Sequence, residues 1–256
     1  MHRMISGVPL AYASQTMHTQ ATVLSLVSAL GLCACGGGGT NPGSGMRYAY
    51  VEPVLNQTHT YSEVVIDNAN NTINLGFSVT TTAVSATGAS QLSQSTTGDS
   101  TIVDGTNYAV LTENQSFNDM GQETSYTYLG AGGSTVTCTF TPHGAGPDWP
   151  VQVGGTWQAT YAFACDAGTP VTYGQTGTVV DVEAVTVPAG TFTALKLQST
   201  VTWTDANGTM RTQTITNWRD IATSYSVKEE IAIAVSGTLP ATGYAVSRTS
   251  VLESIS

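Results

Sequence analysis

The sequence predicts an all-β fold, an antiparallel sheet system built as a curved sheet, a barrel-like sheet or a sandwich. Threonine makes up roughly a sixth of the chain and 27 residues are glycine, and β-branched threonine suits a pleated, half-exposed strand. Apolar residues form 41% of the chain and alternate with polar ones, as in strands that bury one face. No helical apolar period extends over about ten residues after residue 45.

Turn-forming residues divide this pattern into strands. Asn207-Gly208 is the strongest hairpin signal and indicates a type I′ turn, and Pro188-Ala189-Gly190 has the composition of another tight turn. Residues 86–100 and 113–122 lack the alternation and are predicted to be loops, where β scaffolds usually carry function. Strands are predicted near residues 46–51, 58–66, 72–84, 101–111, 124–129, 134–141, 156–165, 176–187, 192–204, 209–218, 224–235 and 244–255.

The N-terminal part resembles the signal of bacterial lipoproteins. Residues 21–32 are 12 uncharged residues, too few for a membrane span of about 20 but suited to a signal-peptide core. The following Leu32-Cys33-Ala34-Cys35 resembles a lipobox. The resemblance implies cleavage before Cys35 and acylation of its sulfur and its new amino group. Cys33 is the rival acceptor, but Leu32 then stands where a small residue is expected.

This resemblance divides the chain into three parts. Residues 1–34 are predicted to be the signal peptide, residues 35–45 a lipidated cysteine with a flexible Gly-rich linker, and residues 46–256 a single all-β domain. Two or more acyl chains anchor a protein stably in a membrane. Gly36 follows the cysteine, and because aspartate there favours inner-membrane retention in lipoproteins, we expect the outer membrane, on its periplasmic or cell-surface side. The leader carries only Arg3 as a basic residue, and Met17 is an alternative start.

Composition narrows the classes of partner. The net charge is −10; without residues 1–34, which hold only Arg3, six basic and 17 acidic residues leave −11. A nucleic-acid-binding domain is basic instead, so no nucleic-acid partner is expected. No cofactor is expected, and no metal site, because the cysteines and histidines lack zinc-like spacing. The expected partners are the membrane, through the acyl chains, and a glycan, lipid or protein ligand of the envelope.

Cys138 and Cys165 are predicted to form a disulfide. Cys138 shares a strand face with Val136 and Phe140, and Cys165 shares another with the alternating apolar residues before it. An oxidising compartment favours the bond, which closes a loop of about 27 residues and would stabilise by about 3.6 kcal/mol. Two buried free thiols are the alternative.

The C-terminal half resembles the DUF3108 and TapB-like families of exported bacterial proteins. The residues that carry the resemblance are the turn segment 185–192 (VTVPAGTF), the return strand 194–197 (ALKL), Trp218, and the segment 225–228 (YSVK), which lacks the family's glycine. The resemblance covers roughly residues 150–235. It implies a β-rich exported domain and no established catalytic residues.

Three residues of one Pro- and Gly-rich loop are candidates for ligand contact. His143 and Asp148 could form an orienting pair for base catalysis, although a solvated turn histidine is the simpler interpretation. Trp149 stands between two prolines and is the best candidate for an exposed aromatic contact. Asp181 and Glu183 are predicted to share one strand face with Val179, Val185 and Val187. Paired carboxylates there can bind calcium, act as acid and base or form the wet face of a strand.

These features favour a lipid-anchored envelope protein whose β domain binds a ligand or partner without catalysis. The alternatives are an envelope hydrolase acting on glycan or ester substrates and a purely structural surface module. A convergent polar cluster inside a pocket would favour the hydrolase, an apolar concavity without titratable groups would favour the binding protein, and a filled barrel with no pocket would favour the structural module.

Overall fold

A computed structural model describes residues 45–98, 102–103, 106–107, 112–129, 134–144, 146–206, 208–240 and 243–256. The predicted signal peptide, Cys35, nearly all of the linker and Asn207 lie outside the described residues. The described residues form fourteen strands and contain no helix. The strands are β1 Thr58–Asp67, β2 Thr72–Ser85, β3 Gly88–Gly98, β4 Ile102–Val103, β5 Thr106–Asn107, β6 Thr112–Asn118, β7 Glu123–Leu129, β8 Thr135–Thr141, β9 Thr156–Cys165, β10 Val171–Val187, β11 Gly190–Thr204, β12 Thr209–Asp220, β13 Ser226–Gly237 and β14 Ala245–Ile255.

Twelve of these strands close into one antiparallel barrel, so the all-β prediction is confirmed and the architecture is a barrel. The order is β1-β14-β13-β12-β11-β10-β9-β8-β7-β6-β3-β2, and β2 pairs with β1 to close the sheet. Strands that follow one another along the chain are neighbours, except that the two-stranded β4–β5 ribbon is inserted between β3 and β6. Closure leaves the barrel without an edge strand.

The segment 46–57 crosses one end of the barrel, which we call the tether end. Tyr48 forms an isolated bridge with Val151, the Val51 amide donates to Ser224 Oγ over 3.2 Å, and the Asn56 amide donates to the Thr81 carbonyl over 2.8 Å. These partners lie near the start of β9, the end of β12 and the end of β2. The strand predicted at 46–51 is therefore wrong, because this backbone caps the barrel instead of joining its wall.

Most of the loops predicted at 86–100 and 113–122 are wrong, since β3 and β6 are full strands of the barrel wall; residues 86–87 and 119–122 do connect strands, and residues 99–100 lie outside the described residues. Most of the inward side chains of β3 and β6 are polar and yet buried, with Ala89 and Phe117 as apolar exceptions, and this removes much of the apolar alternation by which strands are recognised. We call this surface the polar wall; its inward residues are Gln91, Ser93, Glu113 and Gln115, all 5% exposed or less.

The wall formed by β8–β10 is aromatic instead, and we call it the aromatic wall. Phe140 and Phe163 have ring centroids 5.0 Å apart, and Tyr161 stacks on Tyr173 at 5.2 Å. Cys138 and Cys165 lie opposite each other in β8 and β9 and are disulfide-bonded, which confirms the predicted disulfide.

The long β10–β11 hairpin changes its orientation at a bulge between Val179 and Asp181. Val179 points inward and is 1% exposed, whereas Asp181 and Glu183 lie on the opposite face. The expected shared face is wrong for Val179, because Val180 is an extra residue that shifts the alternation. Val185 and Val187 do share the face of Asp181 and Glu183, since the register is continuous from Asp181 to Val187. At the tip, Gly190 has φ 139°, a conformation that favours glycine.

The residues of the DUF3108-like resemblance come together around this hairpin. Val187 packs in one apolar cluster with Trp218 and Val227, with Phe192 against it. The Trp218 indole donates to Glu183 Oε1, and the ammonium groups of Lys196 and Lys228 lie 5.1 and 4.7 Å from its ring centroid. Both lysines of the chain thus contact one indole, and the motif has a structural role in holding the hairpin.

Candidate functional site in the barrel interior

Five polar side chains gather where the polar wall meets the aromatic wall; four are buried, and that of Glu123 is half-buried. We call them the acid–tyrosine site. In β6 and β7, Gln115 lies opposite Tyr126, and Phe117 lies opposite Glu123. The site consists of Glu113 and Gln115 from β6, Glu123 and Tyr126 from β7, and Tyr161 from β9.

The β6–β7 turn directs Glu123 into the barrel. Asn118 Oδ1 accepts hydrogen bonds from the Met120 and Gln122 amides at 3.0 and 2.9 Å, an Asx arrangement that fixes the turn. Gly121 supplies the positive φ of 68° that the turn needs. The register then shifts between Ser116 and Phe117, and this irregularity turns Glu123 inward beside Tyr126.

Four oxygen atoms of the site are buried and accept or donate no hydrogen bond among the described residues. They are Gln115 Oε1, Glu123 Oε1, Tyr126 Oη and Tyr161 Oη. Leaving a buried polar group without a partner costs about 1–3 kcal/mol, and such groups are rare in native proteins. Ten buried side-chain atoms of this kind occur among the described residues, and four of them belong to this site.

The two carboxyl groups of the site hold their protons unusually tightly. Burial raises the pKa of Glu113 to about 7, although the positive charge of Arg248 opposes the shift. Burial and the neighbouring Glu113 raise the pKa of Glu123 well above its usual value. Burial also raises the pKa of Tyr126, with Glu113 and Glu123 adding to the shift. The two acids therefore act electrostatically on each other and on the Tyr126 hydroxyl.

Arg248 connects the acid–tyrosine site to a second line of polar groups inside the barrel. Its Nη1 lies 3.8 Å from Glu63 Oε1, and both side chains are less than 10% exposed. Ser250 Oγ donates to Glu63 Oε2 over 2.7 Å, and Asn217 Nδ2 donates to Glu229 Oε2 over 2.9 Å. In register, this line runs Asn217, Glu229, Ser250, Glu63 across four neighbouring strands.

Aromatic rings border the acid–tyrosine site on its other side. The Tyr126 ring centroid lies 6.0 Å from that of Phe163 and 6.3 Å from that of Phe140, and Tyr161 lies 5.9 Å from Phe140. All four side chains are 7% exposed or less. The site thus combines carboxyl and hydroxyl oxygens with the faces and edges of aromatic rings.

The loop that carries the predicted ligand contacts lies over the Glu123 side of this site. The Gly144 amide donates to the Glu123 carbonyl over 2.5 Å, and His143 Nδ1 is 2.9 Å from the Gly144 carbonyl. Trp149 is half-buried, with its ring centroid 6.0 Å from that of Tyr50, and Asp148 is exposed. No ion pair or hydrogen bond joins His143 to Asp148. Their role in ligand contact stays a prediction.

Sequence reasoning missed all five residues of the acid–tyrosine site. Glu113 and Gln115 fell in a predicted loop, and Tyr126 and Tyr161 were treated only as strand residues. The sequence of β6, TENQSFN, is polar except for its phenylalanine and contains no turn-forming glycine or proline. The absence of a turn former was the signal that could have indicated a strand with a polar inward face.

The described residues contain neither a metal-binding cluster nor a membrane-spanning helix. Within the described ranges, no group of three or more His, Cys, Asp or Glu side chains is arranged to hold a metal ion. The same residues include no helix that is long and apolar enough to cross a membrane.

Comparison with known proteins gives structural likeness alone. No family model matches the chain, so the DUF3108 resemblance stays a prediction, and no curated protein matches either. A Bacteroides fragilis protein with a YmcC-like fold is 11% identical with a TM-score of 0.46, and the alignment covers 82% of this chain and all of that one. A candidate lipoprotein from Parabacteroides distasonis is 13% identical, with coverages of 79% and 96% and a TM-score of 0.40. The hypothetical lipoprotein YmcC from Escherichia coli is 14% identical, with coverages of 78% and 89% and a TM-score of 0.39.

Proposed function

We propose that this chain is an exported, lipid-anchored envelope protein whose barrel binds a small ligand at the acid–tyrosine site without converting it. The observation that carries the binding function is the set of four buried oxygens that lack a partner. A protein that keeps such groups forgoes stability, and it recovers free energy when a ligand supplies the missing hydrogen bonds.

The surroundings of these oxygens support binding more than catalysis. Ligand sites are mostly apolar with a few convergent polar groups, and here the aromatic wall supplies the apolar part. Glu183, one of the acids considered for hydrolysis, is on the outer face and is engaged by the Trp218 indole and by Lys196 at 3.3 Å. Asp181 shares that outer face, so this carboxylate pair does not face the interior.

The export part of the proposal rests on residues 21–35 of the sequence. In cells labelled with radioactive palmitate, the wild-type chain should be labelled and shortened, whereas Cys35→Ser should stay an unlabelled precursor. Cys33→Ser serves as the control and should be processed normally. Labelling and cleavage of Cys35→Ser would overturn the lipid anchor and leave the binding site untouched.

The binding part is tested by removing two of the unpartnered hydroxyl groups. In the double variant Tyr126→Phe/Tyr161→Phe, we expect higher stability in the absence of ligand, since each buried unpartnered hydroxyl costs about 1–3 kcal/mol. Native mass spectrometry of protein extracted from the envelope should show a bound small molecule on wild type and less of it on the double variant.

Tyr244→Phe is the matched control, because Tyr244 is half-buried outside the site. It should keep both the wild-type stability and the bound molecule. If wild type carries no bound molecule and the double variant is no more stable than the control, the acid–tyrosine site is not a binding site.

A further inference from the structure

We propose that the ligand of the acid–tyrosine site is a small organic cation, held by its ammonium group between the two carboxyl groups and the surrounding aromatic rings. This inference rests on the proposed binding function and names the chemical class of its ligand. Charge, ring geometry and the available hydrogen-bond acceptors each support it.

The charge balance of the interior favours a positive ligand. Glu113 and Glu123 act on each other electrostatically, and the guanidinium that faces Glu113 belongs to Arg248, which also lies 3.8 Å from Glu63. One arginine is thus shared between acids on two sides of the interior. Burial raises the pKa of both acids and so disfavours their charged forms. A bound cation would favour the charged forms, because an opposite charge nearby lowers the pKa of a carboxyl group.

The rings provide the second recognition element. Tyr126, Phe140, Tyr161 and Phe163 form a continuous chain of ring contacts with centroids between 5.0 and 6.3 Å apart. A cation over an aromatic face gains about 0.5–2 kcal/mol from the ring quadrupole, and aromatic enclosures recognise ammonium ligands for this reason.

The unpartnered oxygens provide the third recognition element. Gln115 Oε1 can only accept, and the hydroxyls of Tyr126 and Tyr161 can accept as well. These atoms belong to side chains that are 1%, 6% and 2% exposed. The lone pairs of these oxygens attract a cationic group whether or not it carries hydrogens to donate, so tetramethylammonium can serve as a probe of this attraction. Calcium and magnesium require about six or more oxygen ligands, which two acids among aromatic rings do not offer.

The test is calorimetric titration of the full mature protein with tetramethylammonium chloride at pH 8, with sodium chloride at equal ionic strength as the reference. We expect saturable binding of tetramethylammonium and none of sodium. Glu123→Gln, which removes the ionisable carboxyl group and keeps the shape, should weaken binding at least tenfold. Glu230→Gln, whose side chain is 48% exposed, should leave the affinity unchanged.

A second variant distinguishes a loss of binding from a loss of folding. Phe163→Leu keeps an apolar side chain and every charge, and it should weaken tetramethylammonium binding while the circular dichroism spectrum stays that of wild type. Equal affinity of wild type and Glu123→Gln, or no binding of tetramethylammonium, would overturn the cation assignment. If wild type still carries a neutral bound molecule from the envelope, the proposed binding function stands and its ligand class is wrong.

Discussion

The aromatic wall and the polar wall line the same barrel and are equally buried, yet they are built from opposite chemistry. On the aromatic wall, Tyr161 and Phe163 are 2% and 5% exposed and contact other rings. On the polar wall, Gln115 and Glu113 are 1% and 5% exposed, and the pKa of Glu113 is raised by its burial. The aromatic wall stabilises the barrel, whereas the polar wall lowers its free energy of unfolding.

This difference indicates that one part of the closed sheet stabilises the fold while another part carries the candidate binding site. Ring packing and the disulfide hold β8–β10 in place, and that rigid surface supports the costlier polar groups of β3, β6 and β7. Proteins commonly concentrate unfavourable buried groups at functional sites and compensate for them elsewhere. Substitutions on the two walls should therefore change stability in opposite directions.

The largest effect is expected on the aromatic wall. Phe163→Ala removes a ring that contacts Tyr126, Phe140 and Tyr173 and leaves a cavity, so the free energy of unfolding should fall by about 3–5 kcal/mol. Urea unfolding measures it. Thr160→Ala, on the exposed face of the same strand, should change stability little, and an equal loss in both variants would contradict the proposed role of the rings.

The disulfide should contribute a similar amount. Replacing Cys138 and Cys165 together by alanine opens a loop of 27 residues and should lower the free energy of unfolding by about 3.6 kcal/mol on the chain-entropy model. Unfolding with and without reductant gives an independent check, because the reductant should lower the stability of wild type and not of the variant. A reductant effect on the variant would assign the loss to something other than this bond.

On the polar wall, Glu113→Gln should reveal a pH-dependent cost. Burial raises the pKa of this carboxyl to about 7 in the folded protein, against its ordinary value of 4.5, so the folded state binds more protons between these values. Wild type should lose about 3 kcal/mol as pH rises from 4.5 through 7, at 1.36 kcal/mol per pH unit. The glutamine variant should not lose it, and its advantage over wild type should be larger at pH 8 than at pH 5. A difference independent of pH would contradict burial of this acid.

The smallest effect should have the opposite sign. Gln115→Leu removes a buried oxygen that has no partner and should raise the free energy of unfolding by about 1–3 kcal/mol, while ligand binding is lost. Gln198→Leu is the control on the exposed face of β11, and it should stay within about 0.5 kcal/mol of wild type. Destabilisation by Gln115→Leu would show that this glutamine is part of the structural core.

The strand predictions are accurate on the aromatic wall and inaccurate on the polar wall. β9 was predicted at residues 156–165 and spans Thr156–Cys165, because its inward side chains are apolar and alternate with polar ones. β3 and β6 were predicted as loops because their inward side chains are Gln, Ser and Glu. Hydrophobic alternation reports a strand only where the inward face is apolar, and a functional interior removes that signal.

The sequence by itself determined the all-β class, most strands of the barrel wall and the disulfide, since these depend on local periodicity and on the faces of single strands. Only the tertiary structure decided that the sheet closes, that a bulge after Val179 turns Asp181 and Glu183 outward, and that Glu113, Glu123, Tyr126 and Tyr161 meet. The physical reason is that these outcomes depend on register between strands and on contacts across the interior. Both join residues that are distant in sequence and leave no periodic trace along the chain.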